Sequence, residues 1–295
     1  MSQSQSNPSL QDVSDAMSDL VAHAARSVVA VHSGHSRSSG FVWRSGLIVA
    51  ADEALAEEGG VHVVLPGGET VAATIIGRDP TTDVALLRID RSNLSPVALQ
   101  PVQMKVGALA LTVGSRNGAP ISAFGVVAFA GERWRSLRGG EIDARIELDI
   151  AMRRIGEGGL ALDASGRVFG MAVSGPRRRV LVIPAATIER VAGRLLTHGR
   201  IARGYLGLGL QSITLDGEQR TAVMVMSVDP NGPGARAGLQ QGDVILKWSD
   251  QSIRDMRMLL HALGPDSVGT RVNLALRRGG APVEASINVS ERPEA

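Results

Sequence analysis

Ile155-Gly156-Glu157-Gly158-Gly159 is a glycine-rich crossing between two apolar runs, Ala144 to Leu148 and Gly159 to Leu162. Glycine opens backbone conformations that other residues resist, so the stretch reads as a tight loop between strands. One ionisable group stands in it. Glu157 is a carboxylate at neutral pH and carries no transferable hydroxyl proton.

Working outward, further short apolar runs lie at 108–113, 123–128, 168–174 and 180–183. Nearer the start, another set occupies 27–32, 40–49, 61–65, 71–78 and 84–89, with Pro66-Gly67-Gly68-Glu69 as a hairpin turn between two of them. Two groups of about six short strands each predict two antiparallel barrels, at about 27–96 and 97–184. Pro184 opens a predicted helix over 184–198, with Ile188, Val191, Leu195 and Leu196 on one face and Gly199 as its stop. A second helix is predicted from Ser9, where Leu10, Val13, Met17, Leu20, Val21 and Ala24 share a face and Ser9 with Asp12 resembles a capping box. Residues 1–8 are polar and read as disordered. A last region, 199–292, predicts strands at 206–212, 222–228, 243–248, 272–277 and 283–289 and a helix at 254–263.

The composition supports a mainly β chain. Of 295 residues, 35 are glycine and only 3% are aromatic, so aliphatic side chains must build the core. There is no cysteine, which excludes disulfides and thiol catalysis. The net charge is +2 although the isoelectric point is about 9.6. With Tyr205 the single tyrosine and arginine nearly all of the base, this says little about nucleic acid, and no nucleic-acid partner is expected. No apolar run approaches the roughly 18 residues needed to span a bilayer, and the first residues lack a basic and an apolar segment. The expectation is a cytoplasmic protein without membrane contact.

In order and spacing, several stretches resemble HtrA-type (DegP-like) serine proteases from about residue 20 to 290. Ser39-Gly40-Phe41-Val42 and Gly46-Leu47-Ile48-Val49 look like that family's approach to its catalytic histidine. Asp79 through Ile89 looks like its aspartate segment, and Asp149 through Gly159 like its serine loop. His198-Gly199-Arg200 with Gly204-Tyr205-Leu206-Gly207 resembles the join to a PDZ domain, and Gly238 to Leu246 a PDZ core segment. The resemblance implies a chymotrypsin-like double barrel (9–198) followed by an α+β PDZ domain (199–292).

The departures from the family pattern concern chemistry. Asp83 matches the aspartate, but Glu53 stands at the histidine position and Glu157 at the serine position. Ile155 occupies the place of a glycine that helps stabilise an oxyanion. Acyl transfer by this fold needs a hydroxyl, an imidazole and an orienting carboxylate. His62 and His198 read as structural or surface residues. The expectation is an inactive homologue and not an enzyme; the alternatives are a peptidase using a nonstandard group and a permanent structural subunit. Three carboxylates in one region also pose an electrostatic problem. It can be met by Arg153 or Arg154 folding in, by protonation of one acid, or by a bound cation; no cofactor or metal is expected.

What the resemblance leaves is binding. In the family, the loop matched by Gly204, Tyr205, Leu206 and Gly207 offers N–H groups to a peptide's terminal carboxylate. The strand with Leu208 and Leu210 takes up an added strand, and the helix bearing Met258 forms the other wall. The protein is thus expected to act as adaptor, assembly factor or chaperone-like binder for a partner's apolar C-terminal tail. Arg133-Trp134-Arg135-Ser136-Leu137-Arg138 and Arg177-Arg178-Arg179 are basic loops suited to an acidic protein surface. Either a monomer or a trimer fits.

Overall fold

The computed structural model describes residues 9–57, 59–175, 179–215 and 220–293. The expectation for residues 1–8 lies outside these. Among the described residues no helix is long and apolar enough to cross a membrane. The chain divides into two compact units. One holds the residues up to Trp134 together with Glu141–Arg200; the other holds Arg135–Gly140 and everything from Ile201 onward.

The first unit opens with α1 (Leu10–Ala25), whose Ser9 and Asp12 form the expected reciprocal capping box. Six strands then close a barrel: β1 (Val28–Ser33), β2 (Ser36–Arg44), β3 (Leu47–Ala50), β4 (Val61–Val64), β5 (Thr70–Asp79) and β6 (Val84–Ile89), in the order β1-β2-β3-β6-β5-β4. The predicted run 40–49 is two strands, broken by a turn at Ser45 and Gly46. Val29, Val31, Val42, Ile48, Val63 and Leu87 fill this barrel, since side chains along a strand alternate between core and exterior.

The second barrel uses β7 (Leu109–Arg116) and β8 (Ala119–Gly131). After a two-residue ladder of β9 (Trp134–Arg135) and β10 (Glu141–Ile142), it adds β11 (Arg145–Asp149), β12 (Gly159–Asp163), β13 (Val168–Ser174) and β14 (Val180–Pro184). Its order is β11-β14-β13-β12-β7-β8. Val127, Ile146, Leu148, Phe169 and Val182 are among its core residues. α2 (Ala185–His198) follows directly and ends on Gly199 in the left-handed conformation that this residue type favours.

In the second unit, β15 (Gly204–Tyr205), β16 (Leu208–Leu215), β17 (Arg220–Val228), α3 (Pro233–Arg236), β18 (Val244–Trp248), β19 (Gln251–Ser252), α4 (Met256–Ala262), β20 (Arg271–Arg278), β21 (Ala281–Asn288) and β22 (Ser290–Glu291) follow in turn. The sheet runs β16-β17-β18-β20-β21, with β19 on β18 and β15 paired separately to β22. The predicted helix at 254–263 is shorter because Asp255 caps it, its side chain accepting the Met258 N–H.

Candidate functional site

The residues matched to the protease triad do converge. A single-turn helix over Asp52–Ala54 places Glu53, and its main-chain N–H donates to Asp83 Oδ1 at 2.8 Å. Asp83 follows a turn organised by buried Asp79, whose carboxylate accepts the Thr81 and Thr82 hydroxyls at 2.6 Å each. Asp83 itself has φ 58, unusual for a residue with a side chain. Asp52, adjacent to Glu53, is held by Arg78 at 2.5 Å.

Glu157 comes from the other barrel. A turn over Arg154–Gly156 delivers it, and it is 5% exposed. Its carbonyl accepts the Ser39 N–H at 2.8 Å, and its Oε1 accepts the Ser174 N–H at 3.2 Å. Ser39 Oγ donates to the Ile155 carbonyl at 2.6 Å and accepts the Ser115 N–H at 2.9 Å. One hydroxyl therefore pins the loop to both β2 and β7. Gly158 has φ 83, and a Cβ there would sit 2.3 Å from the Ser39 carbonyl oxygen, so glycine is required.

The electrostatic consequence falls on Asp83. Burial first, and then the nearby charges of Glu53, Glu157 and Asp52, push its carboxyl up to about 7, against the Glu53 N–H that favours the anion. Of the three outcomes open in the sequence, protonation of one acid fits best. Arg78 is used on Asp52, and neither Arg153 nor Arg154 forms an ion pair with a described acid. Among the described residues, no group of three or more acidic, histidine or cysteine side chains could hold a metal ion. His62 is exposed on β4, and His198, at the end of α2, meets the Thr197 hydroxyl.

In the second unit, β16 ends the sheet, pairing only with β17, and α4 packs against it. Leu208 and Leu210 are half-buried on that strand and Met258 is half-buried on α4. Leu206 is buried in the core, so only its main chain can face a ligand. Tyr205 donates its hydroxyl to Asp229 at 3.1 Å. Gly207 has φ 69, a register shift follows between Gly209 and Leu210, and Leu206, Leu208 and Leu210 all pack against the same core. The Leu206 carbonyl accepts the Gly234 N–H and the Gly207 carbonyl the Asp229 N–H, while the N–H groups of Leu206 and Gly207 donate to no described carbonyl.

Two of the basic-loop arginines, Arg133 and Arg179, make ion pairs within the chain. Arg133 pairs with Glu141 at 2.9 Å, Arg145 lies over the Trp134 ring, and Arg179 pairs with Glu147 at 2.8 Å. Arg177 and Arg178 lie outside the described residues.

Two closed six-stranded barrels and a sheet with an open edge beside a helix define a trypsin-type chain with one PDZ domain. Residues 38–171 match the trypsin-like peptidase domain family and residues 204–289 the PDZ domain family. A relative from Chlamydia pneumoniae named "Probable periplasmic serine endoprotease DegP-like" is 29% identical over 273 residues, covering 88% of this chain and 56% of the relative. One of the same name from Brucella suis is 29% identical over 281 residues, covering 88% and 54%. The chain spans about half the length of the curated relatives it matches. The solved "HtrA-type protease AlgW with decapeptide" superposes with a TM-score of 0.74 at 23% identity, covering 94% of this chain and 99% of that one. The serine endoprotease from Yersinia pestis gives 0.74 at 22% identity, covering 98% and 100%. The matches support an HtrA/DegP-like chain that carries a PDZ domain at residues 204–289.

The same names correct two sequence expectations. Relatives named serine endoproteases point to a protease, against the expectation of a chain that is not an enzyme. The residue types at three positions decide what those positions cannot do, not what the whole cleft can do. Relatives named periplasmic point to the periplasm, against the cytoplasmic expectation. The polar character of the first residues does not decide a compartment.

Proposed function

We propose that this HtrA-like chain works in the periplasm as a peptide-binding adaptor. Its PDZ domain captures the C-terminal tail of a protein that ends in an apolar residue. The observation that carries this reading is the edge position of β16 beside α4, preceded by N–H groups at Leu206 and Gly207 that donate to no described carbonyl. An open strand edge takes up an extended peptide through main-chain hydrogen bonds, and the terminal carboxylate needs donors such as these. Leu208, Leu210 and Met258 supply the apolar contact.

A second reading, endoproteolysis, is favoured by the relatives' names and by Asp83. A carboxyl that exchanges its proton near pH 7 beside Glu53 and Glu157 is suited to general acid–base work. Hydrolysis here would rest on carboxyl groups, because the two positions matched to imidazole and alcohol are both glutamate.

One experiment reads both. The full chain is mixed with a fluorescent peptide ending in free leucine and with unfolded casein, and binding and cleavage products are followed together. The adaptor reading expects saturable peptide binding and is overturned by none. The second expects casein turnover that Asp83→Asn abolishes, and turnover unchanged by that substitution removes Asp83 from it.

A further inference from the structure

Behind the turn that carries Glu157 lies a cavity of about 300 Å³. One wall belongs to the β7–β8 hairpin, through Arg116, Ile121 and Ser122. The other belongs to the loop before Glu157, through Met152, Arg153 and Ile155. Two arginines line it and no acid does. Neither Arg116 nor Arg153 forms an ion pair with a described residue. Both are exposed, and neither is committed to a described carboxylate, whereas Arg78, Arg145 and Arg179 are paired with the buried carboxylates of Asp52 and Glu147.

Cavity chemistry is thus mixed: two cationic forks, a serine hydroxyl and a set of aliphatic side chains. A guanidinium holds a carboxylate through two parallel hydrogen bonds. Aliphatic walls reward an apolar body on the same molecule, and the volume stands at the small end of ligand sites. Apolar lining also disfavours a fully hydrated inorganic anion, which would leave those walls unfilled.

The cavity also borders the functional loop. Ile155 and Gly156 form part of its wall and lead directly into Glu157. On one side this turn is tied down, Ile155 by the Ser39 hydroxyl and Glu157 by the Ser39 N–H. On the other side it meets the cavity.

We propose that this cavity is a binding site for a small aliphatic carboxylate, of the size of one acylated amino acid or the free end of a peptide, held between Arg116 and Arg153. Occupancy braces the Arg154–Gly156 turn from the side that Ser39 does not hold, and so slows the motion of the Glu157 loop. The site is separate from the PDZ groove and does not depend on the reading of that groove.

The test titrates the full chain with N-acetyl-leucine, with N-acetyl-leucine amide and with a tripeptide ending in free leucine, by calorimetry and by hydrogen exchange. The same titrations are run on an Arg116→Gln/Arg153→Gln double variant, whose exposed positions leave the fold intact. Saturable binding of either acid, weakened at least tenfold in the amide and in the double variant, with slowed exchange at 151–157, is the expected result. Binding of the acetylated amino acid alone identifies a small acid as the source, and binding of the tripeptide alone identifies a chain end. No saturable binding of either acid overturns the proposal. So does binding that the double variant retains, which places the acid elsewhere, the PDZ groove included, or binding that leaves exchange at 151–157 unchanged.

Discussion

The main-chain N–H of Glu53 donates a 2.8 Å hydrogen bond to Asp83 Oδ1. That bond ties the single-turn helix after β3 to the turn before β6. It places the Asp83 carboxyl where the charges of Glu53, Glu157 and Asp52 all act on it. Charge, burial and pH dependence in this cleft therefore meet at one residue.

Stability falls as pH rises through the Asp83 window. In the native chain its carboxyl titrates at about 7, against 3.8 when free. Between these values the native state binds more protons than the unfolded state, so the contribution declines from about pH 4 to 7 and levels off above it. The loss is at most a few kcal/mol, because each tenfold change in proton affinity is worth about 1.4 kcal/mol. Thermal unfolding of the wild type from pH 5 to 8 shows this slope. Asp83→Asn keeps the oxygen that accepts from Glu53 and loses the slope.

Glu157→Gln moves that window toward acid. The substitution removes one of the charges that raise Asp83 and keeps an oxygen for the Ser174 N–H. The carboxyl resonance of Asp83, followed by NMR, titrates at lower pH than in the wild type. An unchanged midpoint would show that Glu157 exerts no field there.

Gly158→Ala costs roughly 2 kcal/mol or more in denaturant unfolding. The new Cβ would meet the Ser39 carbonyl oxygen at 2.3 Å in a backbone of φ 83. The clash also disturbs the Ser39–Glu157 bond, so amide exchange at Ser39 accelerates beyond the global effect.

In the PDZ domain, Asp243 is fully buried and accepts from Arg278 through both oxygens, at 2.7 and 2.8 Å. Asp243→Ala removes both hydrogen bonds that Arg278 makes to this carboxylate and lowers stability in denaturant unfolding. Arg278 holds the Asp243 carboxyl below its usual range, so this pair stabilises the fold above about pH 4 and is lost as acid protonates it. Acid unfolding of this unit, followed at Trp248, shifts to higher pH in Arg278→Met.

Local chemistry was legible in the sequence. Ser9 with Asp12, the Pro66–Glu69 turn and Gly199 each decide a terminus through contacts within a few residues, and each occurs where the residue types demand it. The convergence of Glu53, Asp83 and Glu157 could be read only through spacing that resembles a family. The Ser39 hydroxyl that pins Ile155 lies 116 residues away in sequence, beyond any local pattern. The same holds for Arg78 on Asp52, and for the cavity that joins Arg116 to Arg153.

Capture of a chain end by the Leu206–Gly207 loop is tested most directly by pairing two peptides identical except at the last group. One ends in a free leucine carboxylate and the other in the leucine amide. Calorimetry on the full chain is expected to show the acid binding at least tenfold more tightly, with the Gly207 amide resonance shifting only for the acid. Equal affinity of the two, or shifts confined to residues away from β16 and α4, would contradict the account.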